Sequence, residues 1–171
     1  MVFDCIDDFA GFGPTRNREI ERLQCKLAEA ADVIWATSES LYQRWQAEFP
    51  GKVHLIPNGA DVEHFAAALS PGREGDSPLS GKQIRVGYFG AISRWFDFQL
   101  VTEVAKRLPR VEFILVGPVY SGLEHAWPDN VTVLGARPYA ELPRIVREWD
   151  CCIIPFLLNE LTDATNPVKL F

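Results

Sequence analysis

The chain has 171 residues, of which 47% are hydrophobic and 23% are charged, so it carries enough apolar material to bury a core. Its net charge of −6 gives no general attraction to nucleic acid, whose binding proteins usually show a basic excess or a basic stripe. No apolar run approaches the ~20 residues that span a bilayer, and the N-terminus lacks the pattern of a signal peptide. We therefore expect a cytoplasmic protein that does not bind nucleic acid.

The cysteines give no indication of a metal site or a disulfide framework. The four cysteines and three histidines lack zinc-type spacing, and adjacent cysteines such as Cys151 and Cys152 rarely form an unstrained disulfide. We expect this pair, Cys5 and Cys25 to be buried reduced thiols. We predict no metal site and no cofactor.

The first part of the chain alternates between strand and helix patterns. Strand-length apolar runs lie at 2–6, 33–37 and 53–56, and helical spacing of apolar residues lies at 17–31 and 41–49. Thr15 is expected near the N-cap of the first helix, whose apolar face includes Leu23 and Leu27. This β-α-β-α-β order predicts a parallel sheet covered by helices.

The stretch 66–83 is rich in turn formers and poor in apolar residues. We interpret it as a linker between a domain at 1–65 and a second domain at 84–171. An ordinary long surface loop within one domain stays open as the alternative, although such loops rarely exceed ~12–15 residues.

The second part of the chain repeats the alternation. Strands are predicted at 84–89, 111–116, 131–134 and 151–155, with helices at 97–108, after Pro143 and after Pro167. The predicted fold class is α/β, with two Rossmann-like, doubly wound parallel-sheet domains.

Small residues and cations follow the predicted strands of the second domain. Ligands of such sheets bind at the carboxyl ends of the strands, where small residues let backbone N–H groups approach an anion. Gly90, Ala91 and Arg94 follow one strand, and Gly117 and Arg137 follow two others. Close packing for the glycines and simple solvation for Arg137 stay open. Walker and G-x-G-x-x-G patterns are absent, which disfavours P-loop enzymes and dehydrogenases.

Three stretches resemble one known enzyme family. His54 to Phe65, with the sequence HLIPNGADVEHF, resembles the linker of the family-4 retaining glycosyltransferases. Val131 to Gly135 and the succession from Glu141 to Pro155 resemble the following part of that family in order and spacing. The resemblance implies the GT-B arrangement, in which the second domain holds a nucleotide-diphosphate sugar, the first holds an acceptor, and transfer retains the anomeric configuration.

The two ends of the chain resemble a subgroup of that family, similar to the teichuronic-acid-type bacterial transferases. The matching stretches are Phe3 to Asp8 and Ala164 to Phe171, the latter reading ATNPVKLF. This resemblance implies cell-surface polysaccharide synthesis on a glycan or lipid-linked acceptor, with peripheral association at the inner face of the membrane open for the full-length protein. It also implies that both domains are incomplete, and that the fragment alone is inactive because a family glutamate would lie beyond Phe171.

The resemblance also implies site residues. Ala91 and Phe96 stand where the family often has a diphosphate-binding Arg and Lys, so Arg94 is the nearest substitute, and the first family glutamate falls at Asp163 or Ala164. The predicted donor-binding residues are Gly90, Ala91, Arg94, Gly117, Arg137, Asp163, Asn166 and Lys169. The predicted catalytic or acceptor-binding residues are Asp7 and Asp8, for which a solvated or helix-capping acidic turn stays open. Rival functions are a sugar-nucleotide epimerase or hydrolase on the same fold, and a non-catalytic nucleotide-binding fragment.

Overall fold

The computed structural model describes residues 1–13, 17–66, 83–120 and 125–170. In chain order its strands and helices are β1 (Val2–Cys5), α1 (Arg18–Ala30), β2 (Val33–Ala36), α2 (Glu39–Glu48), β3 (Val53–Leu55), α3 (Val62–Ala66), β4 (Ile84–Phe89), α4 (Phe98–Arg107), β5 (Val111–Val116), β6 (Val131–Gly135), α5 (Leu142–Val146), β7 (Cys151–Cys152) and α6 (Glu160–Asp163). Short 3-10 helices lie at Phe9–Gly11, Tyr139–Glu141 and Val168–Leu170. None of the helices in these described ranges is both long and apolar enough to cross a membrane.

The chain forms two compact units. The first contains residues 1–60 together with 158–171, and the second contains residues 61–157. The predicted linker falls largely on 67–82, outside the described residues. The sequence-based division placed 158–171 with the second domain, whereas this segment packs on the first unit because Ala164, 4% exposed, joins its core. The bounds of the functional domains stay a prediction.

The first unit is built on a parallel sheet with the strand order β1-β2-β3. This confirms the parallel α/β pattern predicted from the sequence. Asn17 caps the N-terminus of helix α1, because its side chain accepts hydrogen bonds from the backbone of Glu19 and Ile20. The cap predicted at Thr15 falls outside the described residues. The side chain of Ser38 caps α2 in the same way, by accepting from the backbone of Leu41.

The buried face of α1 differs from the prediction. Gln24 and Ala28 are buried, whereas Leu23 and Leu27 are each 48% exposed. The small side chain of Ala28 lets the helix approach the sheet closely, and the leucine stripe faces away from this core.

Trp45 of α2 lies at the centre of this core. It is fully buried, and its indole Nε1–H points at the sulfur of Cys5 at 3.2 Å. The ring of Phe3 meets it edge-on, with centroids 5.8 Å apart. Burial raises the pKa of the Cys5 thiol, so Cys5 is a packed, protonated thiol as expected.

The second unit is a parallel sheet with the order β6-β5-β4-β7. A Cβ on Gly87, in the middle of β4, would lie 1.9 Å from the ring of Trp149, so this glycine lets the buried indole lie on the strand. The expectation of buried thiols is wrong for Cys151 and Cys152, which are exposed because β7 is a two-residue strand at the sheet edge.

Candidate functional site

The strand order of the second unit fixes where a ligand should bind. Strands β4, β5, β6 and β7 follow one another along the chain, so the order β6-β5-β4-β7 reverses direction between β4 and β7. Such a switch point leaves a crevice at the carboxyl ends of the two strands, because their following loops diverge. Gly90 and Ala91, predicted for donor binding, come directly after β4 and therefore lie at this crevice.

A row of glycines runs along the same edge of the sheet. Gly90, Gly117 and Gly135 have positive φ angles of 142°, 149° and 70°. A Cβ on Gly117 would lie 1.9 Å from the carbonyl oxygen of Gly90, so the two backbones touch. The N–H of Gly90 also donates to the carbonyl of Val116 at 2.8 Å. Close packing therefore explains why residue 117 is a glycine, and donor binding at Gly117 stays a prediction.

Two cations follow the strands at this edge. Arg94 is exposed in the loop between β4 and α4, and Arg137 is exposed just after β6. Neither forms an ion pair with another residue in the described parts of the chain. An exposed guanidinium with no carboxylate partner is available to an anion such as a diphosphate.

The first unit carries a polar cleft of about 530 Å³ at the carboxyl edge of its own sheet. The loop after β2, the start of α2, the end of β3 and the segment after Leu158 form its walls. Its lining residues are Thr37, Ser38, Glu39, Ser40, Gln43, Leu55, Pro57, Asp163, Thr165 and Asn166. The structure thus places Asp163 and Asn166 in a cleft of the first unit, whereas the other predicted donor residues except Lys169 belong to the second.

Hydrogen bonds hold the segment 158–171 on the first unit. The backbone N–H of Asn58 donates to Asn166 Oδ1 at 3.1 Å, and the Asn58 side-chain amide donates to the Asn166 carbonyl at 2.8 Å. The buried hydroxyl of Ser38 donates to the carbonyl of Ala164 at 2.7 Å. Asn166 is therefore a structural anchor through its carbonyl and Oδ1 atoms, and only its amide nitrogen stays available to a ligand.

Asp7 and Asp8 follow β1 and have opposite surroundings. Asp8 is 5% exposed and pairs with Arg44 at 3.3 Å. Asp7 lies 3.5 Å from the hydroxyl of Thr165, and its pKa is raised, chiefly by burial and further by the charge of Asp8, against the lowering effect of Thr165. The hydroxyl proton of Thr165 has a closer acceptor, the carbonyl of Leu161 at 3.0 Å. The longer contact with Asp7 Oδ1 is therefore the weaker of the two, which agrees with burial outweighing its effect on the pKa of Asp7.

Lys169 lies in the last 3-10 helix of the first unit, not in an α-helix starting near Pro167 as predicted. Burial lowers the pKa of its ammonium group. Phosphate binding by Lys169 stays a prediction.

Sequence comparison gives one relative with a named activity. The chain is 26% identical over 189 aligned positions to the Putative teichuronic acid biosynthesis glycosyltransferase TuaH of Bacillus subtilis (strain 168), and the alignment covers 100% of this chain and 47% of TuaH. The chain is therefore a homologue of part of this putative glycosyltransferase. No family model matches it.

Solved structures give the fold. HepE of Anabaena in complex with UDP-glucose matches with a TM-score of 0.61 and 20% identity, covering 88% of this chain and 45% of HepE. HepE with UDP and glucose gives a TM-score of 0.60 at 22% identity with the same coverage. A variant of TarM from S. aureus, in complex with fondaparinux, alpha-GlcNAc-glycerol and UDP, gives 0.55 at 14% identity, covering 83% of this chain and 29% of TarM. This chain therefore has two Rossmann-like sheets of the GT-B type, as predicted.

This chain covers about half the length of the proteins it matches, 47% of TuaH and 45% of HepE. Several residues that build its candidate sites were not singled out from the sequence. Asn58 lies in the recognised linker stretch, yet its contact with Asn166 spans 108 positions and leaves no local signal. Glu39 and Arg44 are ordinary charged residues of an amphipathic helix, and periodicity does not distinguish them from solvated ones.

In the parts of the chain that the structure describes, no group of three or more His, Cys, Asp or Glu side chains is arranged to hold a metal ion. The polar groups that line the cleft of the first unit are carboxylates, hydroxyls and amides. Its chemistry is therefore that of hydrogen bonding to a hydroxylated or charged ligand.

Proposed function

We propose that this chain is part of an enzyme that transfers a sugar from a nucleotide-diphosphate donor to a glycan or lipid-linked acceptor, with retention of configuration, in cell-surface polysaccharide synthesis. The observation that carries the proposal is the switch point after β4, where Gly90 and the exposed Arg94 follow the strand in a glycosyltransferase homologue. A UDP-sugar is the first donor to test, because HepE matches the fold in complexes with UDP and UDP-glucose.

In this proposal the second unit binds the donor. The N–H of Gly90 is bonded to Val116, so Gly90 lets the chain approach closely and the backbone of Ala91 faces the diphosphate. Arg94 and Arg137 supply positive charge at the same edge. Departure of the nucleotide builds up negative charge on the diphosphate, and fixed guanidinium groups stabilise that charge more in the transition state than in the ground state. Arg94 thereby takes the role of the cations that the family often has at positions 91 and 96.

Of the two acids after β1, we assign proton exchange with the acceptor to Asp7. The carboxylate of Asp8 is already paired with Arg44 in a buried ion pair, so the fold itself uses this side chain. Burial raises the pKa of Asp7 towards the operating pH, which is what a general base needs. Asp8 then has a structural role.

The binding experiment compares Arg94→Ala and Arg137→Ala with Arg110→Ala in the full-length protein. Arg110 is also exposed, but it precedes β5 and so lies at the amino edge of the same sheet. Loss of one charge-assisted hydrogen bond should weaken UDP binding about tenfold in calorimetry. The melting temperature should stay unchanged in all three variants. If Arg94→Ala and Arg137→Ala bound UDP as tightly as the Arg110→Ala control, the assignment of the two arginines to donor binding would be wrong.

The activity experiment separates transfer from the rival reactions. Release of UDP that depends on acceptor supports transfer, whereas acceptor-independent release favours a hydrolase and an epimerised donor favours an epimerase. NMR of the product's anomeric proton then tests retention. Binding without any turnover would favour a non-catalytic role. Sedimentation with vesicles of anionic lipid tests association with the membrane face.

A further inference from the structure

The polar cleft of the first unit has an unusual balance of charge. Among the residues that the structure describes, its lining contains two carboxylates, Glu39 and Asp163, and no Lys, Arg or His. The remaining polar lining groups are hydroxyls and amides. A cleft of about 530 Å³ is large enough for a small-molecule ligand, since such sites measure ~300–1,000 Å³.

Part of this polar surface is already used by the fold. The hydroxyl of Thr37 donates to the carbonyl of Ile6 at 2.8 Å, and Ser38 is taken up by the α2 cap and by Ala164. The amide of Gln43 donates to Glu39 Oε1 at 2.9 Å. This pairing leaves Glu39 Oε2 and the Gln43 carbonyl oxygen for a ligand.

The opposite wall of the cleft, formed by the segment after Leu158, adds further polar groups that can bind a ligand. The carboxylate of Asp163 is exposed and forms no ion pair with another described residue. Asn166 accepts from Asn58 through Oδ1, so its amide nitrogen is the donor that remains. The cleft therefore offers carboxylate acceptors on both walls and an amide donor on one.

We propose that this cleft binds a neutral saccharide unit of the acceptor, through Glu39, Asp163 and Asn166; the proposal rests on the glycosyltransferase function proposed above. A sugar hydroxyl donates one hydrogen bond and accepts others, so it pairs at once with a carboxylate and an amide N–H. Bonds to an ionised carboxylate are the stronger kind, which favours hydroxyl donors over groups that only accept.

Anionic ligands fit the cleft poorly. A uronate or a diphosphate would meet two negative charges with no cation among the lining residues. The N-terminus of α2 could itself attract an anion, but Glu39 in its first turn already places a carboxylate there. The nucleotide's diphosphate is therefore assigned to the second unit and not to this cleft.

The wall that carries Asp163 and Asn166 is held before any ligand arrives. The Asn58–Asn166 hydrogen bonds and the Ser38–Ala164 bond fix the backbone after α6. A capping box between Asn159 and Thr162 fixes the start of that helix. Little conformational entropy is then lost on binding, which favours recognition of a small, weakly bound saccharide.

The test uses a matched set of ligands and variants in the full-length protein. Binding of methyl hexosides and N-acetylhexosamines is measured by NMR titration, beside the corresponding uronate and the free-amine hexosamine. The variants are Glu39→Gln and Asp163→Asn, and the control is Glu48→Gln, an exposed acid at the far end of α2 and outside the cleft.

We expect neutral saccharides to bind at least about tenfold more tightly than the uronate at low salt, with the difference narrowing as salt screens the carboxylates. Glu39→Gln and Asp163→Asn should each weaken neutral binding about tenfold, because each loses a charge-assisted bond. Glu48→Gln should leave it unchanged, and all three variants should retain UDP binding.

Three results would overturn the assignment: a uronate that binds as tightly as the neutral sugar, a free amine that binds far more tightly than its N-acetyl form, or no saccharide binding at millimolar concentrations. If UDP-sugar binding persists in that last case, the proposed transferase function stands while this assignment falls. Saccharide binding that depends on Glu39 and Asp163, in a protein that binds no nucleotide, would instead refute the proposed donor function.

Discussion

The neighbouring substitutions Asp8→Asn and Asp7→Asn should have opposite effects on stability. The side chain of Asp8 is 7% exposed and that of its partner Arg44 is 24% exposed. Arg44 also contacts Glu21, at 3.4 Å. Neutralising Asp8 therefore leaves a largely buried guanidinium with one carboxylate instead of two, beside the Trp45 ring, whose centroid lies 4.8 Å away.

The magnitude for Asp8→Asn follows from these contacts. Removing one partner of a fully buried ion pair costs roughly 3–5 kcal/mol. Arg44 keeps Glu21 and some solvent, so we expect a loss of about 2 kcal/mol in unfolding free energy. For a chain of this size that corresponds to a fall of about 4–8 °C in melting temperature.

Asp7→Asn should behave differently because the folded-state pKa of Asp7 is raised. Burial is the main cause, and the folded state therefore holds the proton more tightly than the unfolded chain does. The stability from this group is fully present below the unfolded pKa of about 4 and is lost as the pH rises through the folded value. The neutral amide avoids that loss, so at pH 7 Asp7→Asn should be as stable as the wild type or more stable. The gain should vanish in acid.

Urea unfolding at several pH values, together with acceptor-dependent transfer by the full-length protein, tests both statements. Asp4→Asn is the control, since Asp4 is an exposed acid on β1, the strand that Asp7 and Asp8 follow. We expect Asp7→Asn to abolish most transfer without destabilising the fold. If Asp8→Asn matched the control in stability, or if Asp7→Asn retained full transfer, the division of roles between the two acids would be wrong.

Further substitutions probe the packing around the sites. Gly117→Ala should lower the free energy of unfolding by about 3 kcal/mol, because its φ is positive and its Cβ would lie 1.9 Å from the Gly90 carbonyl oxygen. Gly135→Ala should lower it by only about 1 kcal/mol, because its φ is also positive but nothing lies within 4 Å of its Cβ. Equal losses of the two variants in chemical denaturation would refute the clash at Gly117. Asn58→Ala and Asn166→Ala should each lower the free energy of unfolding by about 1 kcal/mol. In the double variant the loss should be smaller than the sum of the two single losses, and strictly additive losses would argue against coupling through this contact.

The strands and the larger helices could be predicted from the sequence because their ends carry local signals. Turn formers follow the strands, and Pro109 follows α4 closely. The parallel pairing then follows from the alternation of strands with helices. The orientation of α1 could not be predicted in this way, because its alanine and leucine stripes are both apolar and only tertiary packing selects between them.

The candidate sites were less accessible to sequence reasoning. Gly90 and Arg94 could be placed at a sheet edge, because the edge follows from the strand pattern alone. The position of Asp163 could not, since it depends on a segment that returns to the first unit through contacts such as Ser38–Ala164, which span 126 positions. No periodicity encodes such a contact.

Residues of the stretches that resemble the family mostly form contacts within the fold of this chain. Ligand specificity must therefore depend on other residues. Asn58 and Asn166 satisfy each other's backbone, and Asp8 is paired with Arg44. A fold needs these contacts whichever sugar it handles, so family resemblance through them predicts the architecture and leaves the ligand undetermined. The ligand then depends on groups that the fold leaves unpaired, such as the carboxylates of Glu39 and Asp163. For this reason two homologues with the same recognised stretches should differ in acceptor preference when residue 39 or 163 differs in charge.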